Sequence, residues 1–131
     1  MQKTFLVAGA ILGGLAVCLG AFAAHALKRI VDETTVNVFH TGVEYQFYHA
    51  LALLGVGILA GQFPGAWMGR AGWCFVIGTV LFSGSLYAMT LVKAMGGASI
   101  GPAGIITPIG GLFFIAGWVC MLIGILQKSA A

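Results

Sequence analysis

A chain of 131 residues that is 60% hydrophobic, holds 21 glycines and has only 7% charged side chains cannot clothe a soluble domain in a hydrated surface. That excludes a soluble enzyme, a disordered chain and a disulfide-stapled secreted module, and a mean hydropathy of +1.06 points to an integral membrane protein. The net charge of +3 is mild; it suits a protein beside anionic lipid and offers no basic run for nucleic acid.

A membrane-crossing helix uses about 20 apolar residues, so a chain of this length holds four or at most five spans. The first apolar run covers residues 4–27 without a Lys, Arg, Asp or Glu. With Lys3 ahead of it and Ala21-Phe22-Ala23 near its end it imitates a secretory signal, but it is longer than a signal core and is expected to stay as a span. Residues 28–43 form the one strongly polar stretch, carrying Lys28, Arg29, Asp32 and Glu33. Their pattern predicts a short amphipathic helical segment that starts near Asp32 or Glu33 and leads into the second span, residues 44–61. On it Glu33, Asn37, His40, Glu44 and Tyr48 share one face, with Val36, Phe39 and Val43 elsewhere. A competing parse starts the helix at Thr41, where Thr41-Gly42-Val43-Glu44 has the form of a capping box.

Pro64-Gly65 marks a tight turn before the third span, residues 71–92, and Trp67 suits an interfacial anchor. The connection 94–106 is uncharged and contains Gly96, Gly97, Gly101, Pro102 and Gly104. So apolar a segment is expected to fold back over the helices, because irregular backbone at membrane depth must be satisfied by protein or a wet cavity. Thr107-Pro108 then reads as an N-cap followed by proline at the first helical position, opening the fourth span, residues 107–126. The fold class is all-α: a four-transmembrane-helix bundle in a single domain, 1–131.

Small residues recur at four-residue spacing, as Gly9 and Gly13, as Ala16, Gly20 and Ala24, and as Gly57 and Gly61. Such rows let helices approach closely and predict a tight bundle, with homo-oligomer formation through Gly/Ala-rich faces as one further use. Cys18, Cys74 and Cys120 contain no C-x-x-C pair and read as small apolar side chains. Lys3, Arg70 and Lys128 fall on one side of a four-span protein and Lys28, Arg29 and Lys93 on the other. The tie leaves orientation open, with a slight lean toward both termini inside.

Four spans bring the ends of the first and third and the starts of the second and fourth to one side. That side collects His25, His40, Glu44, Tyr45, Gln46, His49, Tyr87, Thr90, Lys93 and Thr107. The candidate ligand-binding set takes His25, Glu44, Tyr45, Gln46, His49, Tyr87 and Thr107 from it and adds Ser83 and Ser85 near the middle of the third span, which the family resemblance given below brings in. Ionisable groups are penalised inside a membrane and carry a functional hypothesis by default. His49 lies about one turn deeper than Glu44, roughly 7 Å along the axis, and a histidine beside a carboxylate is suited to titrate near neutral pH. In the first reading the protein is not an enzyme and binds a membrane lipid, an amphipathic small molecule or a membrane partner at a polar pocket under the 94–106 connection. In the second, an oligomer moves protons or small solutes with His49 and Glu44, against which stands the lack of an ionisable residue at the midplane. In the third, His25, His49 and Glu44 ligate a metal, although no sequence motif calls for a metal or cofactor. A purely structural role is the alternative to all three: the same groups bond one another and seal the helix ends. Ser83-Gly84-Ser85 has no base at its depth, so no serine nucleophile is read there.

Gly20-Ala21-Phe22-Ala23-Ala24-His25-Ala26-Leu27, Tyr45-Gln46-Phe47-Tyr48-His49-Ala50-Leu51-Ala52-Leu53, Leu81-Phe82-Ser83-Gly84-Ser85-Leu86-Tyr87 and Ile106-Thr107-Pro108-Ile109-Gly110-Gly111 occur in that order. Over essentially its whole length the chain thereby resembles the small bacterial membrane family catalogued as domain of unknown function 423, whose eukaryotic relative is called transmembrane protein 256. The resemblance implies a multi-pass protein of the bacterial inner membrane with four spans, and it brings no established activity. Its motifs cover His25, Tyr45, Gln46, His49, Ser83, Ser85, Tyr87, Thr107 and Pro108. Glu44 falls just outside them, which ranks His25 and His49 ahead of it.

Overall fold

The computed structural model describes the backbone of residues 2–97 and 101–130 and the side chains of residues 2–97 and 104–127. It holds four helices, α1 Gln2–Ala24, α2 Glu33–Gln62, α3 Ala66–Ala94 and α4 Gly101–Ala130, with a 3-10 turn at Leu27–Arg29. All four are long and apolar enough to cross a membrane. Lipid imposes this form, since a helix satisfies its own backbone hydrogen bonds where no water can.

Packing follows chain order: α1 lies along α2, α2 along α3 and α3 along α4. The middle pair is the more enclosed, with 44% and 39% of the apolar windows of α2 and α3 buried, against 17% and 22% for the outer two. The small-residue rows serve contacts within the chain. A Cβ on Gly9 would stand 2.8 Å from the Ala50 carbonyl oxygen, and one on Gly57 2.6 Å from the Leu6 side chain. Gly110 lets α4 approach α3 so closely that a Cβ there would lie 2.4 Å from the Phe82 backbone nitrogen. Lipid tails are as apolar as leucine, so close packing of this kind supplies much of the adhesion between helices. Phe5, Leu53, Val56, Met68, Phe75 and Phe114 form the main core, and Ala16, Ala23, Leu27, Phe39 and Val43 a second one toward the α1–α2 connection.

The start of α2 agrees with the first sequence reading, and the start of α4 differs from the expectation. α2 begins at Glu33 and runs unbroken to Gln62. The capping-box parse fails because Thr41 lies inside the helix, its hydroxyl donating to the Asn37 carbonyl oxygen one turn back at 3.0 Å. Instead Asp32 is the N-cap, and its carboxylate accepts a hydrogen bond from the Thr35 hydroxyl. That bond, aided by the nearby Lys93 ammonium, holds the Asp32 carboxyl below its ordinary value of 3.8. At 30 residues, α2 is about 45 Å long, which exceeds the roughly 30 Å hydrocarbon core. Its first turns are therefore free to be polar, with Glu33, Asn37 and His40 exposed and Phe39 and Val43 buried.

α4 begins at Gly101, so Thr107 and Pro108 lie within it rather than opening it. An uncharged apolar stretch near lipid satisfies its backbone most simply by continuing as helix, and a single proline such as Pro108 is tolerated inside membrane helices. The glycine-rich connection shrinks accordingly. Gly96 adopts φ +81° and Gly97 donates its N–H to the Val92 carbonyl oxygen at 2.9 Å, ending α3 as a left-handed glycine cap does. Residues 98–100 of the expected fold-back, and the Lys128 side chain used in the orientation count, lie outside the described residues.

Candidate functional site

The antiparallel register of α1 and α2 fixes the depth of each polar group. Gly20 faces Val43 and Gly13 faces Ala50, so Gln46 and His49 stand beside the middle of α1. Gln46 is 3% exposed. Its Nε2 donates to the Leu12 carbonyl oxygen at 2.8 Å, and its Oε1 accepts from the Tyr87 hydroxyl at 2.6 Å. One amide thus joins α1, α2 and α3. The Ser83 hydroxyl donates to the Gly42 carbonyl oxygen at 2.6 Å, a second tie between α2 and α3. Ser85 bonds the Phe82 carbonyl oxygen at 2.8 Å and also the Thr107 hydroxyl, which links α3 to α4.

His49 sits in an aromatic box. Its ring stacks on Phe114 with centroids 3.6 Å apart and an interplanar angle of 7°, while Phe75 and Trp118 close the sides at 5.4 and 5.9 Å. The Trp118 indole N–H, which can only donate, bonds Nε2 at 3.1 Å. Nε2 is therefore the acceptor, and Nδ1 carries the proton that it donates to the Tyr45 carbonyl oxygen at 2.8 Å. The imidazole is neutral, with both nitrogens engaged. Contrary to the sequence-based placement, an ionisable side chain does lie at mid-depth of the helices.

The other members of the candidate set are dispersed. His25 is exposed just beyond the end of α1. From the register it stands on the order of 17 Å from His49 along the helix axis, at 1.5 Å per residue. Glu44 is 44% exposed and pairs with His40, Nε2 to Oε1 3.3 Å. The three proposed metal ligands thus do not converge, and the described residues contain no group of three His, Cys, Asp or Glu able to hold a metal ion. Tyr45 rests on Phe82 with centroids 4.7 Å apart. The structure therefore joins Gln46 with Tyr87, Ser85 with Thr107 and Tyr45 with His49, and leaves His25 and Glu44 apart. Among the described residues no buried side-chain nitrogen or oxygen lacks a partner. The buried polar groups are turned toward one another and the backbone.

Open space lies elsewhere. A groove of about 240 Å³ runs between the end of α1, the 3-10 turn, the start of α2 and the end of α3, walled by Phe22, Leu27, Ile30, Phe39, Leu91 and Ala94. Tyr87 and Thr90 also line it. Tyr87 sends its hydroxyl away to Gln46, and Thr90 donates its own to the Leu86 carbonyl oxygen at 3.0 Å, so the wall is apolar in effect. Two shallower crevices between α1 and α2 take in Glu44 with Tyr48 and His40 with Asn37. Sequence reasoning missed Phe75, Phe114 and Trp118 around His49, and it missed the groove walls. The four-residue spacing of Phe114 and Trp118 on one helical face was the available signal for the box.

The family model described as "Protein of unknown function (DUF423)" matches residues 19–111. The chain belongs to the DUF423 family. It is 42% identical to the UPF0382 membrane protein YwdK of Bacillus subtilis (strain 168) over 93% of this chain and 95% of that protein. It is 37% identical to the UPF0382 inner membrane protein YgdD of Escherichia coli (strain K12), over 96% and 92%. No solved structure matches it. With four span-capable helices and such relatives, this DUF423 member is a multi-pass protein of the bacterial inner membrane. The matched segment contains the Gln46–Tyr87 link, the Ser85–Thr107 link and every groove residue.

Proposed function

We propose that this DUF423 protein is not an enzyme and binds an amphipathic molecule drawn from the bilayer, in the groove where α1, the 3-10 turn, α2 and α3 meet. The observation that carries this reading is an open apolar groove beside the basic 3-10 turn, at the end of the helices where the sequence places the ligand-binding side. Tyr87 belongs to both the groove and the polar network. Gln46, His49, Ser83, Ser85 and Thr107 act in this reading as the frame that holds the groove walls at fixed spacing. Ser83 and Ser85 direct their hydroxyls at carbonyl oxygens rather than at a base, which leaves neither activated as a nucleophile. Native mass spectrometry of gently extracted protein tests the proposal. The wild type is expected to retain a lipid-sized species that Ala94→Trp, filling the rim of the groove, releases. Retention unchanged in Ala94→Trp, or none in the wild type, overturns it.

A proton-coupled transporter formed by an oligomer is the second reading, favoured by the position of His49 at mid-depth. Its closed aromatic box and two engaged nitrogens weigh on the other side. Flux into liposomes that depends on pH and is lost in His49→Ala would support transport. Flux equal to that of empty liposomes between about pH 5 and 8 would remove it.

A further inference from the structure

We infer that the groove takes an acyl chain of an anionic phospholipid whose headgroup rests on Lys28, Arg29 and Lys93. The inference depends on the groove being a binding site and adds the chemistry of its occupant. The groove is smaller than the roughly 300–1,000 Å³ of a site that encloses a drug-sized molecule, and it is partly open, between segments of α1, α2 and α3. A linear chain fits such a space better than a compact ring system. Its two polar lining groups are already satisfied within the protein, so the part of the ligand inside it gains nothing from being polar.

The mouth has the opposite character. Lys28 and Arg29 are exposed on the 3-10 turn, bracketed by the groove residues Leu27 and Ile30. Lys93 is exposed next to Ala94, on the other lip. Among the described residues none of these three is in an ion pair; the one such pair is His40–Glu44, neither of which lines the groove. The carboxylates at this end are Asp32, bonded to Thr35 and attracted by Lys93, and Glu33 in the first turn of α2. They leave the charge of Lys28 and Arg29 available to a phosphate. Basic clusters at the water–lipid boundary attract anionic headgroups in this way. A zwitterionic lipid brings its own ammonium and loses that advantage, and free phosphate has no chain for the groove.

The test titrates full-length protein in micelles with phosphatidylglycerol and with phosphatidylethanolamine of identical acyl chains, read by native mass spectrometry. The wild type is expected to prefer phosphatidylglycerol. Lys28→Gln and Arg29→Gln each reduce that preference roughly fivefold, while phosphatidylethanolamine is still retained. Added salt weakens the preference as well. Ala94→Trp lowers retention of both lipids, and Arg70→Gln, at the opposite end of the helices, alters neither. Equal retention of the two lipids by the wild type, with Ala94→Trp still abolishing it, overturns the anionic assignment and leaves the groove reading standing. Retention indifferent to Ala94→Trp overturns both. Loss of the preference in Arg70→Gln overturns the assignment to this mouth.

Discussion

Gln46 has to place an amide donor and an amide acceptor inside an apolar bundle, and it does so by reaching two different helices. Gln46→Leu keeps the volume but leaves the Tyr87 hydroxyl without its acceptor. The expected loss is about 1–2 kcal/mol of unfolding free energy in micelles. The double variant Gln46→Leu/Tyr87→Phe should lose less than the sum of the single variants, as a shared interaction requires. Asp32 offers a pH test with a definite sign. Its carboxyl is held below 3.8 chiefly by Thr35, so the stability it contributes is present above that ordinary value and is lost as pH falls through the lowered one. Thr35→Ala should move the Asp32 titration, followed by NMR, upward toward 3.8. Gln46 and His49 were legible in the sequence because they are polar in an apolar run. Their partners were less so: the Leu12, Gly42 and Tyr45 carbonyls carry no mark of residue type, and Trp118 is donated by a helix whose register hydropathy does not reveal.

At the scale of elements, glycines that look alike in the sequence differ in what they face. A Cβ at Gly110 would press on the Phe82 backbone, which cannot turn aside, whereas Gly84 has nothing within 4 Å of such an atom. Gly110→Ala is expected to force α3 and α4 apart at a cost of about 1–3 kcal/mol. Gly84→Ala should be neutral or stabilising by up to about 1 kcal/mol. Thermal unfolding of the two variants in the same detergent separates them. The existence of four helices was legible because three apolar runs are long enough to span and the second, short by itself, follows a segment able to extend it. The start of α2 was legible beside a competing local signal, and the start of α4 was not. Thr41-x-x-Glu44 and Thr107-Pro108 are local signals for a helix beginning, and in lipid the demand that every backbone group be paired outweighs them.

The whole molecule is assembled from neighbours in the chain, α1 on α2, α2 on α3 and α3 on α4. Contacts of short sequence separation cost little loop-closure entropy. Each helix leaving the ribosome therefore meets its main partner as the segment made just before it, while the His49 ring of α2 gains Phe114 and Trp118 only once α4 is made. Gly13 and Ala50 allow a check, since a Cβ on Gly13 would lie 3.8 Å from that of Ala50, within the usual span of a disulfide. In a Cys18→Ser background, Gly13→Cys/Ala50→Cys should cross-link in nascent chains halted shortly after α2 emerges, as readily as in the finished protein. The groove follows one step later, because Tyr87, Leu91 and Ala94 all come from α3. Its four lining segments are thus in place before the last helix is translated, and α4 arrives to brace a structure whose groove already exists.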